Sequence, residues 1–514
     1  NSGSTDTYNV AVGYNAGISM TTGTHNVLMG AFTGDALTTG TYNVAIGRSA
    51  LSTEDGHGFN VAVGAFALLN QNAGADAHNV AVGYAAGEDV TTGTQNTLIG
   101  GNAGDALTTG TSNIALGYRA LTTEDTGSRN VAIGDNSLAA LNYDGNGYNT
   151  AVGFYSGAAM TTGIQNTLIG ALAGDSLAGG SQNVAVGMYA LSTEDTHGKN
   201  VAVGYSALVV QNAGADAYNT AVGYNAGGSV TTATANTLLG GLAGDAITTG
   251  FGNVAIGYNA LGAEDTGGTN VAIGHAALQV LDTGSNSYSV AIGYDAGKAI
   301  TTGTLNTIIG GDAGKTITTG TSNVLMGYEA GEVLLDGSQN TLLGDQVSGG
   351  LTSGSENTYI GRRAASSATT GSNNLSIGAG SSLSSATVSN EANIFNGSVV
   401  ARFQGAASAW TFVSDERDKK DIEDLELGLD FIDKLKPRKF KWDLRDSDTD
   451  KGKESSGFIA QEIKEVLDET GVDYTGIVDT NNPDQYTVAQ ANIIPMLVKA
   501  IQELKQEIQQ LKNK

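Results

Sequence analysis

Few side chains in this sequence are equipped for chemistry, and most of those recur on a fixed spacing. Cysteine is absent, so no thiolate nucleophile, disulfide framework or cysteine metal site is available. The histidines His25, His57, His78, His197 and His275 fall at inconsistent phases and have no base–nucleophile partner. Adjacent acids at Glu54-Asp55, Glu124-Asp125, Glu194-Asp195 and Glu264-Asp265 return every 70 residues. They read as a solvated acidic loop along one side of the molecule, with divalent-ion binding as the lesser reading. Asp35, Asp105, Asp175 and Asp312 follow glycines in turns but lack the spacing of a calcium loop. Further along, Ser414 and Lys419 make a Ser-x-x-x-x-Lys pattern, and residues 414–514 contain no histidine, so a Ser-His-Asp arrangement cannot operate there. Taken alone, that spacing describes an exposed serine ahead of a charged helix start. Walker, Rossmann, zincin and nucleophile-elbow patterns are missing, so no cofactor and no metal are expected.

The frame that must carry these residues is a repeat. Asn-Val-Ala-Val-Gly at 9–13 is followed by Asn-Val-Leu-Met-Gly at 26–30, Asn-Val-Ala-Ile-Gly at 43–47 and Asn-Val-Ala-Val-Gly at 60–64. The asparagine spacings are 17, 17, 17 and then 19, a superperiod of 70 that resumes at Asn79, Asn149, Asn219 and Ser289. Glycines four places after each head residue, from Gly13 to Gly378, mark 22 units. A fixed short period signals a solenoid, in which no unit buries its apolar face alone and stacking supplies the core.

Within a unit, Val10 and Val12 face one way and Ala11 the other, as in a strand, and Gly13 ends it or lets backbones approach. The second half is typified by Leu37-Thr38-Thr39-Gly40-Thr41, with Gly40 free to take a left-handed turn. The 19-residue unit makes room for a longer loop at Asn70–Asp76. Asparagine at the head of every unit predicts a stacked amide ladder, with a row of glycan or ion sites as the alternative. A 17-residue coil looks too narrow to enclose much, so several chains wound together would turn exposed apolar surface into a shared core. At about 4.8 Å per coil, such a rod is roughly 100 Å long.

Composition narrows the classes further. A chain of 514 residues ordinarily makes three or four domains, but 74 glycines and only 3 prolines, with the glycines on a 17-residue period, point to a fibre and exclude collagen. Net charge is −26, and residues 1–413 hold 9 basic against 28 acidic side chains, too few cations to neutralise phosphates, so nucleic acid is excluded as a partner. No run of 18 apolar residues and no basic-apolar leader is present, so neither membrane insertion nor a signal peptide is expected. The start at Asn1, already in repeat phase, implies an upstream attachment region in a longer chain.

Three segments follow. Residues 1–380 are the β-roll shaft. In 381–413, a junction or tip, Ala392–Phe395 and Val399–Phe403 read as short strands around a Gly397 turn. Residues 414–514 carry 16 basic and 23 acidic side chains and read as a separate small α+β domain. There the spacing predicts a helix over Glu423–Lys434, a strand over Arg438–Leu444, a charged loop over Asp446–Ser456 and a helix marked by Ile459, Ile463 and Val466 that closes near Gly471. A last helix carries Ile494, Leu497, Ile501, Leu504, Ile508 and Leu511 at spacings of 3, 4, 3, 4 and 3, the seam of a short coiled coil.

The shaft resembles the head regions of trimeric adhesins and the shafts of phage tail fibres, whose Asn-x-Val/Ala-Ile-Gly coils stack as a three-chain β-roll. The C-terminal segment resembles the intramolecular chaperone domain of endosialidases and phage tail fibres, also classed as peptidase S74. Four blocks carry that likeness: Ser414–Ile422, Leu435–Phe440, Gly457–Glu462 and Ala500–Leu504. The resemblance implies a domain that trimerises, helps the preceding β-structured fibre to fold and then cuts itself away before its first serine. Mapped onto this chain, the cut falls between Val413 and Ser414, with Ser414 as nucleophile and Lys419 as its partner. The chemistry is an N-to-O acyl shift, in which the serine hydroxyl attacks the preceding carbonyl and the ester then hydrolyses. A lysine freed of its proton by burial or neighbouring cations would accept the hydroxyl proton.

The expectation is therefore a homotrimeric phage tail fibre on the virion, contacting a host-surface glycan or protein receptor and joined upstream to the tail or baseplate. A bacterial trimeric surface adhesin stalk is the competing reading, and a polysaccharide-degrading tail spike a third.

Overall fold

The computed structural model describes residues 6–395, 397, 400–404, 411–412, 419–441, 443, 452–472, 476–480 and 486–513. The chain divides into two compact units, Asn1–Val413 and Ser414–Lys514.

The first unit is a β-solenoid. Every repeat lays down one three-residue strand, and each strand pairs in parallel with the same segment of the next coil: Val44 lies opposite Val61, Ala45 opposite Ala62 and Ile46 opposite Val63. The middle residue of the strand decides inside from outside. Ala45, Ala62, Leu98 and Ala115 are fully buried, whereas the flanking Ile114 and Leu116 are 40% and 43% exposed. Leu37, Ala50, Leu51 and Leu68 from the turns complete the core. So short a circuit has room for little more than one layer of side chains, and alanine or a single leucine occupies the centre in most coils, with Ile308, Tyr359 and Ser376 the exceptions. The coil therefore encloses its own core within one chain, contrary to the expectation that several chains are needed to do so. The β-branched residues at the strand ends form an outward apolar stripe instead.

Glycine has a strict place at the strand's end. Gly170 has φ +135°, and a Cβ on it would lie 2.6 Å from the Gly187 carbonyl carbon of the next coil. Gly40, expected to take the left-handed turn, lacks a positive φ. Its requirement is space, since a Cβ there would come within 2.4 Å of the His57 carbonyl oxygen. Left-handed turns are taken by glycines such as Gly34, with φ 51°, and also by non-glycine residues, among them His25 with φ 60° and Leu51 with φ 52°. Neighbouring coils pin the last two: the His25 amide donates to the Thr7 carbonyl at 2.9 Å and the Leu51 amide to the Ala67 carbonyl at 3.0 Å.

The head asparagines form the expected ladder. Asn166 donates its backbone N–H to Asn149 Oδ1 at 3.0 Å and its side-chain Nδ2 to the Gly180 carbonyl at 2.8 Å, while its own Oδ1 accepts the Asn183 N–H at 2.9 Å. Burial excludes the alternative of a glycan row, because these amides do not reach solvent. Nδ2 of Asn60, Asn130, Asn200 and Asn270 has no partner. Those four precede the 19-residue coils, where the insertion displaces the carbonyl that would otherwise sit 14 residues on. The ladder also runs one coil beyond residue 380. The strand Glu391–Phe395 pairs in parallel with Leu375–Ile377, and the Glu391 N–H donates to Asn374 Oδ1 at 2.9 Å. Val400–Gln404 then returns antiparallel as the second arm of the expected hairpin around Gly397.

The second unit is α+β. Helix α1 (Leu429–Lys434) is shorter than the spacing predicted. Gly428 stands at its start packed against Glu503, whose carboxylate accepts the Leu429 N–H at 2.6 Å, so the preceding residues run non-helically beneath the last helix. The strand Arg438–Lys441 pairs antiparallel with Glu454–Gly457, a strand taken from the end of the predicted charged loop. Helix α2 (Ala460–Thr470) stops at Gly471 in a left-handed cap, as expected. Helix α3 (Ile494–Lys512) is entered through a single 3₁₀ turn at Gln490–Ile493. Phe431, Leu427, Ile463, Ile493 and Met496 form the small core. No described helix is long and apolar enough to cross a membrane.

Candidate functional site

Ser414 and Val413, the expected nucleophile and scissile residue, lie outside the described residues. Lys419 is exposed on the non-helical stretch ahead of α1, so a single chain does not give it the burial expected of a proton acceptor. Two of the blocks that carried the resemblance meet. Arg438, from the strand Arg438–Lys441, donates from Nε and Nη2 to the two carboxylate oxygens of Glu462 on α2, at 3.0 and 2.6 Å. These hydrogen bonds hold the Glu462 carboxyl below the usual range. The fourth block lies in α3, where Ala500 packs inward while Lys499 donates to the Leu425 carbonyl.

Helix α3 has two apolar stripes. Met496 and Ala500 face the unit's own core. The seam Ile494, Leu497, Ile501, Leu504, Ile508 and Leu511 faces outward, with Ile501 66% and Leu511 70% exposed. The heptad spacing thus marks a surface, and this chain alone does not cover it.

The histidines divide by environment. His25 and His78 are rungs in a surface stack, Tyr8–His25–Tyr42–Phe59–His78, with neighbouring ring centroids 4.7 to 5.2 Å apart. His275 stacks between Tyr258 and Tyr294. His57 and His197 instead sit beside Glu54 and Glu194, at 3.3 and 3.7 Å.

The acidic pairs require correction. Their aspartates face outward, but Glu54, Glu124, Glu194 and Glu264 are fully buried. They occupy the core phase that Leu37, Leu107, Leu177 and Ile247 hold one coil earlier. Each turns one oxygen onto the backbone of its own turn: Glu54 accepts the His57 N–H at 2.9 Å, Glu124 the Gly127 N–H at 2.7 Å, Glu194 the His197 N–H at 3.3 Å and Glu264 the Gly267 N–H at 2.7 Å. Burial raises the carboxyls of Glu124 and Glu194 above their ordinary range. Glu264 is pushed up to about 7 by burial and by the Asp282 charge, against the pull of the Gly267 amide. Aligning the repeats by phase would have found these glutamates; reading each pair as a unit hid them.

Residues 414–472 match the Peptidase S74 family, described as the chaperone of endosialidase. The match begins where the second compact unit begins, and takes in three of the four blocks. No curated protein and no solved structure matches the chain. The chain thus joins a β-solenoid to a C-terminal domain of the endosialidase-chaperone type, an arrangement consistent with tail fibres and spikes.

Proposed function

We propose that the chain is a homotrimeric fibre of a phage tail, whose solenoid contacts a host-surface receptor and whose C-terminal unit assembles and registers the trimer before cutting itself away. The observation that carries this reading is the chaperone-type domain set directly after a repetitive rod. Two uncovered apolar surfaces support it. The α3 seam has the spacing of a coiled coil and is exposed along its length, and the solenoid's strand face presents valine, isoleucine and leucine outward. Three copies joined at both surfaces would bury what one chain leaves open.

Self-cleavage belongs to the same reading. The Ser414 hydroxyl oxygen attacks the Val413 carbonyl carbon and Lys419 accepts the hydroxyl proton. The C–N bond breaks, and the freed amine of Ser414 takes up a proton. Water then hydrolyses the ester, leaving a Val413 carboxylate and restoring the hydroxyl. Because Lys419 is exposed in one chain, the trimer is where we place its desolvation. Mass spectrometry of freshly expressed protein tests the step. Species of residues 1–413 and 414–514 are expected, both missing from Ser414→Ala. A wild-type chain that stays whole while forming a correct fibre would defeat the proteolysis and leave the assembly role standing.

A further inference from the structure

One of the buried glutamates differs from its counterparts. Glu124 satisfies both oxygens, the second accepting the Tyr143 N–H from the following coil at 3.2 Å. In Glu54, Glu194 and Glu264 the second oxygen, Oε2, is buried and makes no hydrogen bond of that quality, the Ala213 and Thr283 amides exerting only a weak pull on Glu194 and Glu264. At Glu54 and Glu194 a histidine stands alongside and can carry a compensating charge. Glu264 has no such neighbour. The acid's own successor, Asp265, and Asp282 from the next coil bring their carboxylates to it, so that ligand atoms of all three lie within 4.8 Å of one another. Among the described residues no lysine, arginine or histidine forms a salt bridge to any of them. Asp282 is exposed, which leaves the cluster open to solvent on one side.

We propose that Glu264, Asp265 and Asp282 bind a hard divalent cation of the calcium–magnesium class, which ties the Glu264 coil to the loop after Leu281. The donor set is oxygen throughout, the chemistry that such ions prefer and that soft metals do not. Oε2 of Glu264 supplies an unshared acceptor fixed by the fold, since Oε1 is held by the Gly267 amide. One divalent ion offsets the mutual repulsion of three converging carboxylates and gives the buried oxygen a close partner. With only three carboxylates and an open side, the expected dissociation constant is on the order of 10⁻⁴–10⁻³ M.

The repeat supplies a benign test variant. The position of Asp282 is held by Asn72, Asn142 and Asn212 in the other superperiods, so Asp282→Asn reinstates a side chain the fold already accepts. Calorimetric titration of the full chain with calcium chloride, in chelator-free buffer, should give saturable binding, together with a rise in Tm that EDTA reverses. Asp282→Asn should weaken that binding at least tenfold while keeping a Tm in EDTA no lower than the wild type's. Asp125→Asn, beside the fully satisfied Glu124, should bind as the wild type does. Absence of saturable binding at millimolar calcium would overturn the proposal, as would binding undiminished in Asp282→Asn.

Discussion

At the scale of single residues, the solenoid depends on side chains that replace backbone partners. Removing Asn166 beyond Cβ strips the Asn183 N–H and the Gly180 carbonyl of their partners in a place water does not reach. Each orphaned group costs about 1–3 kcal/mol, so Asn166→Ala should lose about 2–6 kcal/mol in chemical denaturation. Asn166→Ser should lose less, because the natural Ser289 still takes the Asn306 N–H on its hydroxyl at 3.4 Å. Equal losses in the two variants would show that the ladder is not what holds the coil. Glu124 gives a second residue-scale test. Burial, the largest influence, raises its carboxyl above the ordinary 4.5, the Gly127 and Tyr143 amides pull it down, and Asp125 adds to the rise. The folded state therefore holds this proton more tightly than the unfolded chain does. The resulting stabilisation is complete below pH 4.5 and is lost as pH climbs through the folded value. In EDTA the denaturation midpoint should fall as pH rises above 4.5, less steeply in Glu124→Gln; identical slopes would assign the effect to other groups.

At the scale of elements, the strand-ending glycines set the spacing between coils. Alanine at Gly170 would need both a left-handed backbone and room already filled by the Gly187 carbonyl, so Gly170→Ala should cost about 3 kcal/mol or more. Amide exchange should accelerate first in the coils next to residue 170, since a solenoid repeat touches only its neighbours. Uniform acceleration along the rod would contradict that local picture. The strands and their register were legible in the sequence because an unbroken period leaves one pairing to choose. Which face turned inward was not, because Val-Ala-Val is apolar on both sides and only the room inside the coil selects alanine. The acidic pairs were misread because their backbone phase was overlooked: the first residue of each pair falls on the core phase that Leu37 and Ile247 hold one coil earlier, so Glu54 and Glu264 are buried while Asp55 and Asp265 keep access to solvent. The helix predicted over Glu423–Lys434 was cut short by Gly428, whose contact with Glu503 comes from 75 residues away and leaves no local trace. The α3 seam was legible because it is an exposed stripe of regular spacing.

At the scale of the whole molecule, the repeat that builds the shaft so economically also makes it ambiguous. A slip of one coil sets Val-Ala-Val beside Thr-Leu-Ile, and a slip of 70 residues sets nearly the same surface against itself, so the outward strand face distinguishes poorly among alignments of neighbouring copies. Something outside the repeat must choose. The α3 seam occurs once per chain, so in the proposed trimer pairing it first would fix the ends and let the coils close from a defined start, at an effective concentration set by the tether. Disrupting the seam should therefore damage registration before it damages the coils. Full-length Ile501→Asp/Leu504→Asp should retain the β-structure of the solenoid by circular dichroism yet sediment as monomers and mixed species, where the wild type should sediment as one trimer. Rods of staggered length in electron micrographs would locate the fault in alignment. Should the double variant give the same single trimer as the wild type, the seam would have no part in choosing the register, and the solenoid face would have to contain an asymmetry that its near-identical coils do not reveal.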